Sequence, residues 1–213
     1  TTTFALGATT AQDIGFDGKR EPRFFSDAVK EAGFQDDILK QEKDIAKENA
    51  AHRILAVRVA DPASAMAAME NGADTIYIGG EAFRPSRPWS LKDIRSIVSL
   101  SKKTDTKVVI DTPRTTMRRE CGELEQFFTA LNEVQPDGIM VSNLGSLKLA
   151  AECTKLPVQA DVSFNLFNHL AAKFLSENGL SMAAASLELS FAQLREIVEN
   201  SVLPIEVIVH GAC

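Results

Sequence analysis

Short apolar runs rich in β-branched residues alternate with amphipathic segments from residue 54 onward. An almost wholly apolar strand must be covered on both faces, so this alternation indicates a parallel sheet whose strands are joined by crossover helices. The apolar runs predict seven strands, at residues 54–60, 75–78, 107–111, 138–141, 158–164, 183–187 and 205–209. Helices are predicted between them, at residues 62–71, 90–101, 122–133, 144–153, 169–177 and 191–199.

Two α/β architectures fit this alternation, a doubly wound sheet and a TIM-type (β/α)8 barrel. A doubly wound nucleotide-binding sheet usually has a G-x-G-x-x-G motif after its first strand. Here the first strand is followed by Ala60, Asp61 and Pro62, and no G-x-x-x-x-G-K-[ST] motif occurs. We therefore expect the barrel, incomplete in this chain with about seven strands, and an eighth strand beyond Cys213.

Residues 1–50 differ from the rest of the chain and predict a separate N-terminal extension. Their last part, from residue 35, is highly charged and predicts a solvated connector helix that leads into the barrel at 51–213. The chain begins with Thr1 and ends with Cys213 directly after an apolar run. We expect it to be a piece of a longer protein.

The composition is that of an ordinary globular protein, with 213 residues of which 45% are hydrophobic and 24% charged. The net charge of −6 argues against a protein that binds nucleic acid on its own, because such proteins usually carry a basic surface. No secretory signal or membrane span is evident. Three cysteines do not make a disulfide framework, so we expect a reducing cytoplasm.

The active site of such a barrel lies at the C-terminal ends of its strands, and the fifth predicted strand has polar residues there. Gln159, Asp161, Ser163 and Asn165 alternate with other residues, so a continuous strand would place all four on one face. They would form either a structural hydrogen-bond network or the polar floor of a pocket, and we favour the pocket. Asp161 is the predicted catalytic residue, and Ser163 and Asn165 are predicted to bind substrate.

Other polar residues follow the remaining strands, and each has a structural alternative. Glu188, at the predicted end of the sixth strand, is expected to be catalytic as a general acid/base or to hold a substrate group; the alternative is a surface or capping carboxylate. Asp111 and Asn143 either belong to the site or cap the helices that follow them. We expect His210 at the end of the seventh strand to be catalytic.

A cationic cluster is predicted above the barrel, where Arg84, Arg87 and Arg114 would suit a carboxylate or a phosphate; alternatively they are solvated loop residues. Hydrolase motifs such as G-x-S-x-G and H-E-x-x-H do not occur.

Several successive motifs resemble one known family. They are NGADTIYIGGEAF at 71–83, VSNLG at 141–145, QADVSFNLFN at 159–168 and EVIVHG at 206–211. Together they resemble the peptidase U32 family, also called collagenase-like proteases, over about residues 54–213. Residues 1–50 faintly resemble the β-rich extension that precedes the barrel in longer members.

The resemblance implies either proteolysis or a different chemistry. Some relatives act in oxygen-independent hydroxylation of transfer-RNA uridine, using prephenate, or of the ubiquinone ring. Those relatives hold a 4Fe–4S cluster through four cysteines, the first of which lies just after the His-Gly of the seventh strand. The resemblance therefore implies that Cys213 is a metal ligand in the full-length protein. The other ligands would lie beyond the chain, so we expect no intact cluster in these 213 residues.

Three functions remain open at this point. The first is a part of a larger enzyme of oxygen-independent hydroxylation or RNA modification, for which the arginine cluster would suit a dicarboxylate such as prephenate. The second is a peptidase, and the third is a non-catalytic scaffold or binding subunit. The expected partners are a small carboxylate or peptide substrate, transfer RNA in the full-length protein, and further subunits in a homo- or hetero-oligomer, without a membrane.

Overall fold

The computed structural model of the protein describes residues 54–80 and 89–211. The predicted N-terminal extension at 1–50 and the predicted site residues Arg84, Arg87 and Cys213 lie outside the described residues. Within the described stretches, no helix is both long and apolar enough to cross a membrane.

The sheet consists of seven strands, each parallel to its neighbours and paired in the order in which they occur along the chain. A doubly wound sheet reverses its strand order at a switch point, so this consecutive order excludes it and confirms the barrel-type winding. The strands are β1 Ala56–Val59, β2 Thr75–Gly79, β3 Lys107–Asp111, β4 Gly138–Val141, β5 Val158–Ala160, β6 Leu180–Ala184 and β7 Ile205–Glu206.

Six α-helices connect these strands in the described part of the chain, and most begin where a side chain accepts a hydrogen bond from a free backbone N–H. They are α1 Pro62–Glu70, α2 Leu91–Ser101, α3 Cys121–Val134, α4 Leu144–Cys153, α5 His169–Glu177 and α6 Phe191–Asn200. The capping side chains belong to Asp61, Ser90, Asn143, Asn168 and Ser190. Asn143 is therefore a helix cap, one of the two alternatives that its position left open.

The two faces of the strands have different surroundings. Residues on the outer face, such as Ile76, Ile110 and Ile139, are fully buried against the helices and form one continuous apolar core with Phe128 and Leu131. On the inner face the apolar cluster is small and is formed by Tyr77, Val109 and Met140. The rest of the inner face carries polar side chains, which is where a functional site can be built.

Contacts between distant strands show that the sheet curls into an open barrel. The Tyr77 hydroxyl of β2 donates a hydrogen bond to Glu206 Oε2 of β7. Arg58 of β1 reaches Asp161 Oδ1, at the end of β5, at 3.3 Å. A flat sheet would keep these strands several strand spacings of about 4.8 Å apart.

The predicted fifth strand is too long. It ends at Ala160, and residues Val162–Phe164 form a 3₁₀ turn instead. Asn165 follows in the left-handed conformation with φ 50°, which no strand contains. The alternation of polar residues therefore does not continue as a strand face beyond Asp161. The predicted inward position is wrong for Asn165, which is exposed, whereas the Ser163 hydroxyl reaches Asp161 from the turn.

The bounds of two further strands differ from those predicted. β6 begins at Leu180, directly after Gly179 ends the preceding turn at φ 86°, and it stops at Ala184 rather than at residue 187. β7 pairs with β6 only through Ile205 and Glu206 and does not extend to residue 209.

Candidate functional site

A buried ionic cluster occupies the inner face near the C-terminal ends of the strands. Arg58 projects from β1, Asp111 is the last residue of β3, and Asp161 directly follows β5. Arg58 Nη2 lies 3.1 Å from Asp111 Oδ2 and 3.3 Å from Asp161 Oδ1. One guanidinium group thus holds two carboxylates that come from different strands.

The exposure of the three side chains is unequal. Asp111 and Asp161 are 3% and 4% exposed, whereas the Arg58 side chain is 37% exposed. Buried carboxylates require a countercharge or hydrogen bonds because desolvation disfavours the charged form. The two aspartates therefore depend on Arg58, while Arg58 itself keeps part of its surface free.

Asp161 is well satisfied by its surroundings. Its Oδ2 accepts hydrogen bonds from the hydroxyls of Ser142, at 3.2 Å, and of Ser163, at 3.4 Å. Its Oδ1 is held by Arg58. Two hydroxyl donors and one guanidinium group therefore satisfy both oxygens of this buried carboxyl group.

Asp111 is less well satisfied. Its Oδ1 is buried and has no hydrogen-bond partner among the described residues. Burial raises the pKa of Asp111 from its ordinary 3.8 to about 7, with Arg58 opposing and Asp161 adding to that shift. The group therefore exchanges a proton near neutral pH, which is the property that acid–base catalysis requires.

Two glycines at the end of β2, Gly79 and Gly80, make room for Asp111 because they have no side chains. Gly79 and Gly80 have φ values of 97° and 62°, which L-residues with a side chain rarely adopt. A Cβ atom on Gly80 would lie 2.6 Å from Asp111 Oδ2, and one on Gly79 would lie 2.8 Å from the Asp111 carbonyl oxygen. The glycine pair at the end of β2 thus permits the close approach of this backbone to the carboxylate.

A second polar pair lies beside the cluster. The Tyr77 hydroxyl donates to Glu206 Oε2, and Tyr77 itself is 3% exposed. Burial raises the pKa of Tyr77 above its ordinary value, and the neighbouring Glu206 adds to this. Burial also raises the pKa of Glu206, against the lowering by the Tyr77 hydrogen bond and by Arg58. Tyr77 therefore stays protonated and serves as a hydrogen-bond donor.

The structure brings only part of the predicted site together. Asp161 lies inside the barrel as predicted, and Ser163 contacts it from the 3₁₀ turn. Asn165 is exposed, beyond that turn. Arg114 is exposed in the loop after β3, and its charge lowers the pKa of Asp111 slightly.

Glu188 and His210 do not terminate strands. Each lies beyond the end of its strand, β6 and β7 respectively, and each is exposed. Both strands end earlier than their apolar runs suggest. Among the described residues beyond β6, only an isolated bridge between Ala185 and Leu166 continues the pairing, and β7 pairs with β6 through Ile205 and Glu206 alone.

Sequence reasoning missed Arg58, Tyr77 and Glu206, and it left Asp111 open between capping and function. Asp111 does not cap a helix, since the next helix, a 3₁₀ turn, begins at Arg118. The signal for Arg58 was present: a charged residue in the middle of the strand sequence AVRV. A charged side chain in a strand that is covered on both faces needs an oppositely charged or hydrogen-bonding partner. For Arg58 these partners are Asp111 and Asp161, which belong to the ends of other strands.

The described residues do not fit an iron–sulfur cluster. No group of three or more histidine, cysteine or acidic side chains in residues 54–80 and 89–211 is arranged to hold a metal ion. Cys121 begins α3 and Cys153 ends α4. Since both helices follow strands of the same parallel sheet, these two ends lie at opposite ends of the barrel wall.

Comparison with known proteins gives relatives that are named for RNA hydroxylation and one that is named as an uncharacterized protease. The chain is 29% identical over 154 residues to the 23S rRNA 5-hydroxycytidine C2501 synthase of Escherichia coli (strain K12), covering 71% of this chain and 23% of that protein. It is 26% identical over 149 residues to tRNA hydroxylation protein P1 of Bacillus subtilis (strain 168), covering 68% of this chain and 35% of that protein. The chain therefore spans well under half the length of these relatives.

A similar fold is found in a solved structure of a U32 peptidase, which matches with a TM-score of 0.60 at 14% identity and covers 75% of this chain and 69% of that chain. The sequence profile of peptidase family U32 matches residues 60–213, which include the whole described sheet after β1. The open barrel, the order of its strands and this match agree with one another, and the chain belongs to peptidase family U32.

Proposed function

We propose that this chain is the barrel of an enzyme that hydroxylates a pyrimidine base in RNA, with Asp111 as its acid–base residue. The observation that carries the proposal is the buried Asp111 carboxyl group, which has one oxygen without a partner among the described residues and a pKa of about 7. A scaffold has no need of such a group, because a buried carboxylate lowers the stability of the fold. The names of the two relatives supply the reaction class.

The chemistry of base hydroxylation gives Asp111 a role. When a co-substrate transfers an oxygen atom to a ring carbon in a two-electron oxidation, that carbon bears both the new hydroxyl group and its original hydrogen, which must depart as a proton before the ring recovers its conjugation. A carboxylate with a pKa near neutrality accepts such a proton and later releases it to water. Asp161 and Arg58 keep Asp111 in place, and their charges set its proton affinity.

The oxygen donor belongs to the whole protein and its co-substrates. We infer that a small carboxylate binds above the barrel near Arg114, which is exposed after β3 on the same side as Asp111. We also infer that Cys213 contributes to a 4Fe–4S cluster whose other thiolates come from elsewhere in the protein. No role of Asp111 depends on either inference.

The test uses the gene that encodes this chain in its own organism. Ribosomal and transfer RNA from a deletion strain are digested to nucleosides and compared by mass spectrometry with RNA from strains complemented with the wild-type gene or Asp111→Asn. We expect a pyrimidine nucleoside with one additional oxygen to disappear on deletion and to return with the wild type. Loss of a positioned general base costs about 10²–10⁴-fold in rate, so Asp111→Asn should restore little of it.

Asp105→Asn is the matched control. Asp105 lies in the turn before β3, at the opposite end of the same strand, and it is exposed with φ 56°. Asparagine tolerates that conformation well, so this variant should restore the nucleoside fully. Unchanged nucleosides in the deletion strain would contradict the proposal. Loss of a protease activity together with unchanged nucleosides would favour the peptidase.

A further inference from the structure

Arg58 uses only one of its nitrogen atoms to hold the cluster together. Nη2 contacts Asp111 Oδ2, Asp161 Oδ1 and, at 3.6 Å, the Met140 sulfur. Within residues 54–80 and 89–211, its Nη1 and Nε atoms make no hydrogen bond. A guanidinium group has five N–H donors in a planar fork, so three of them, on Nε and Nη1, are not used by the two carboxylates.

The two carboxylates restrict the position of the guanidinium group. Both are buried and both hold Nη2, so this end of the Arg58 side chain cannot move away without breaking an ion pair. The side chain is nevertheless 37% exposed, in contrast to the 3% and 4% of its partners. An arginine that only neutralised the aspartates would be expected to be as buried as they are. The geometry is that of an arginine held at one nitrogen atom, with donors left over and part of its side chain accessible.

The charges around Arg58 select what can bind there. Asp111, Asp161 and Glu206 lie around one guanidinium group, as the influence of Arg58 on Asp111 and Glu206 and its contact with Asp161 demonstrate. Arg58 already shares its positive charge with Asp161 and, whenever that group is ionised, with Asp111, so little of this charge is left for an anion. A ligand carboxylate or phosphate would be repelled by the carboxylates that hold the arginine. A neutral oxygen acceptor meets no such repulsion.

We propose that Arg58 is a substrate-binding residue whose Nε and Nη1 atoms donate hydrogen bonds to a neutral carbonyl oxygen, such as that of a pyrimidine ring. This deepens the proposed function and rests on it for the identity of the ring. It also divides the substrates between two places: the neutral base binds inside the barrel, and the anionic co-substrate stays outside, near Arg114.

The test is a titration of the 213-residue protein, labelled with ¹⁵N at arginine, with uridine as the neutral probe and succinate as the anionic one. The Arg58 Nε–H resonance is assigned by its absence in Arg58→Lys. We expect uridine at millimolar concentration to shift this resonance in a saturable way and succinate at equal concentration to leave it in place. Lysine keeps the charge but lacks the fork, so Arg58→Lys should weaken uridine binding at least tenfold.

Arg95→Lys is the control for the substitution itself, since Arg95 is an exposed helical arginine 3.8 Å from Glu133. It should bind uridine as the wild type does. If Arg58→Lys fails to fold, the Arg58 Nε–H resonance is assigned by triple-resonance spectra of the wild type, and its response to the two probes decides. A shift with succinate but not with uridine would overturn the proposal in favour of an anion site, and no shift with either would overturn it outright. The RNA nucleoside experiment remains independent, so the proposed function can stand when this inference fails.

Discussion

The Gly80→Ala substitution tests whether the site is built on the close approach of β2 to Asp111. Gly80 has φ 62°, and a Cβ atom there would lie 2.6 Å from Asp111 Oδ2 and 2.8 Å from its Cγ. Real Cβ atoms essentially never come so close to other atoms. Either the backbone after β2 or the Asp111 carboxyl group must move, and movement of the carboxyl group lengthens its 3.1 Å ion pair with Arg58.

Two terms contribute to the expected loss of stability. An alanine in the left-handed region costs about 1–2 kcal/mol. Disturbing a buried ion pair costs about 3–5 kcal/mol when one partner is removed outright. Here Arg58 keeps Asp161 and the displaced Asp111 can take up a proton, so we assign about half of that, roughly 2 kcal/mol. The sum is about 3–4 kcal/mol, a large share of the usual 5–15 kcal/mol of folding stability.

Gly72→Ala provides a matched control for the backbone term. Gly72 has φ 85°, and nothing lies within 4 Å of the position that a Cβ atom would occupy there. Both variants therefore carry the strain of a positive φ, and only Gly80→Ala also meets Asp111. In urea unfolding followed by circular dichroism, with a slope of about 2 kcal/mol/M, the midpoint of Gly80→Ala should lie about 1 M below that of Gly72→Ala. Equal midpoints would refute the reasoning that Gly80 makes room for the carboxylate.

Three further predictions concern other parts of the fold. Because the pKa of Asp111 is raised, the folded protein holds a proton that the unfolded chain releases, and the contribution of this group to stability falls as the pH rises from 3.8 to about 7. The fall is at most roughly 4 kcal/mol. Asp111→Asn should remove it from unfolding curves measured across this pH range. A wild-type protein as stable at pH 7.5 as at pH 5, with the same profile in the variant, would count against it. Asn143→Ala removes the cap of α4, which accepts from the Ser146 N–H at 2.8 Å, and should lower the free energy of unfolding by about 1 kcal/mol without changing the helical circular dichroism. Phe128→Ala opens a cavity in the fully buried outer core and should cost about 3–5 kcal/mol in the same assay; a loss below about 1 kcal/mol would mean that the helices do not pack there as described.

The sequence pattern predicts the elements well where an apolar run coincides with a paired strand. The predicted bounds of β3, β4, α4 and α5 agree with the structure, because in each case a polar residue or a cap stands directly beside the apolar run. β5 shows the limit of this reasoning. The polar residues from Gln159 to Asn165 alternate as in a strand, yet Val162–Phe164 form a 3₁₀ turn that ends at Asn165 with φ 50°. Alternation over so few residues does not show where a strand stops.

The site is harder to predict than the fold because its members are far apart in the chain. Arg58 and Asp161 are separated by 103 positions, and Tyr77 and Glu206 by 129. No spacing rule relates such residues; only the closure of the sheet does. Glu188 follows an apolar run, which predicts it at the end of a strand, yet β6 ends earlier, at Ala184. An apolar run in the sequence indicates which residues are buried, and residues such as Ala185 remain buried beyond the last residue of the strand.

The separation of the two strand faces has a consequence for how such a barrel can change over evolutionary time. The residues that hold the fold together, such as Ile76, Ile110 and Ile139, alternate along each strand with those that form the site, such as Tyr77 and Asp111. Neighbouring positions in the sequence are therefore under opposite constraints. A lineage can replace every second residue of a strand and acquire a new reaction while the intervening residues stay as they are, so relatives that catalyse different reactions would keep the same outer face.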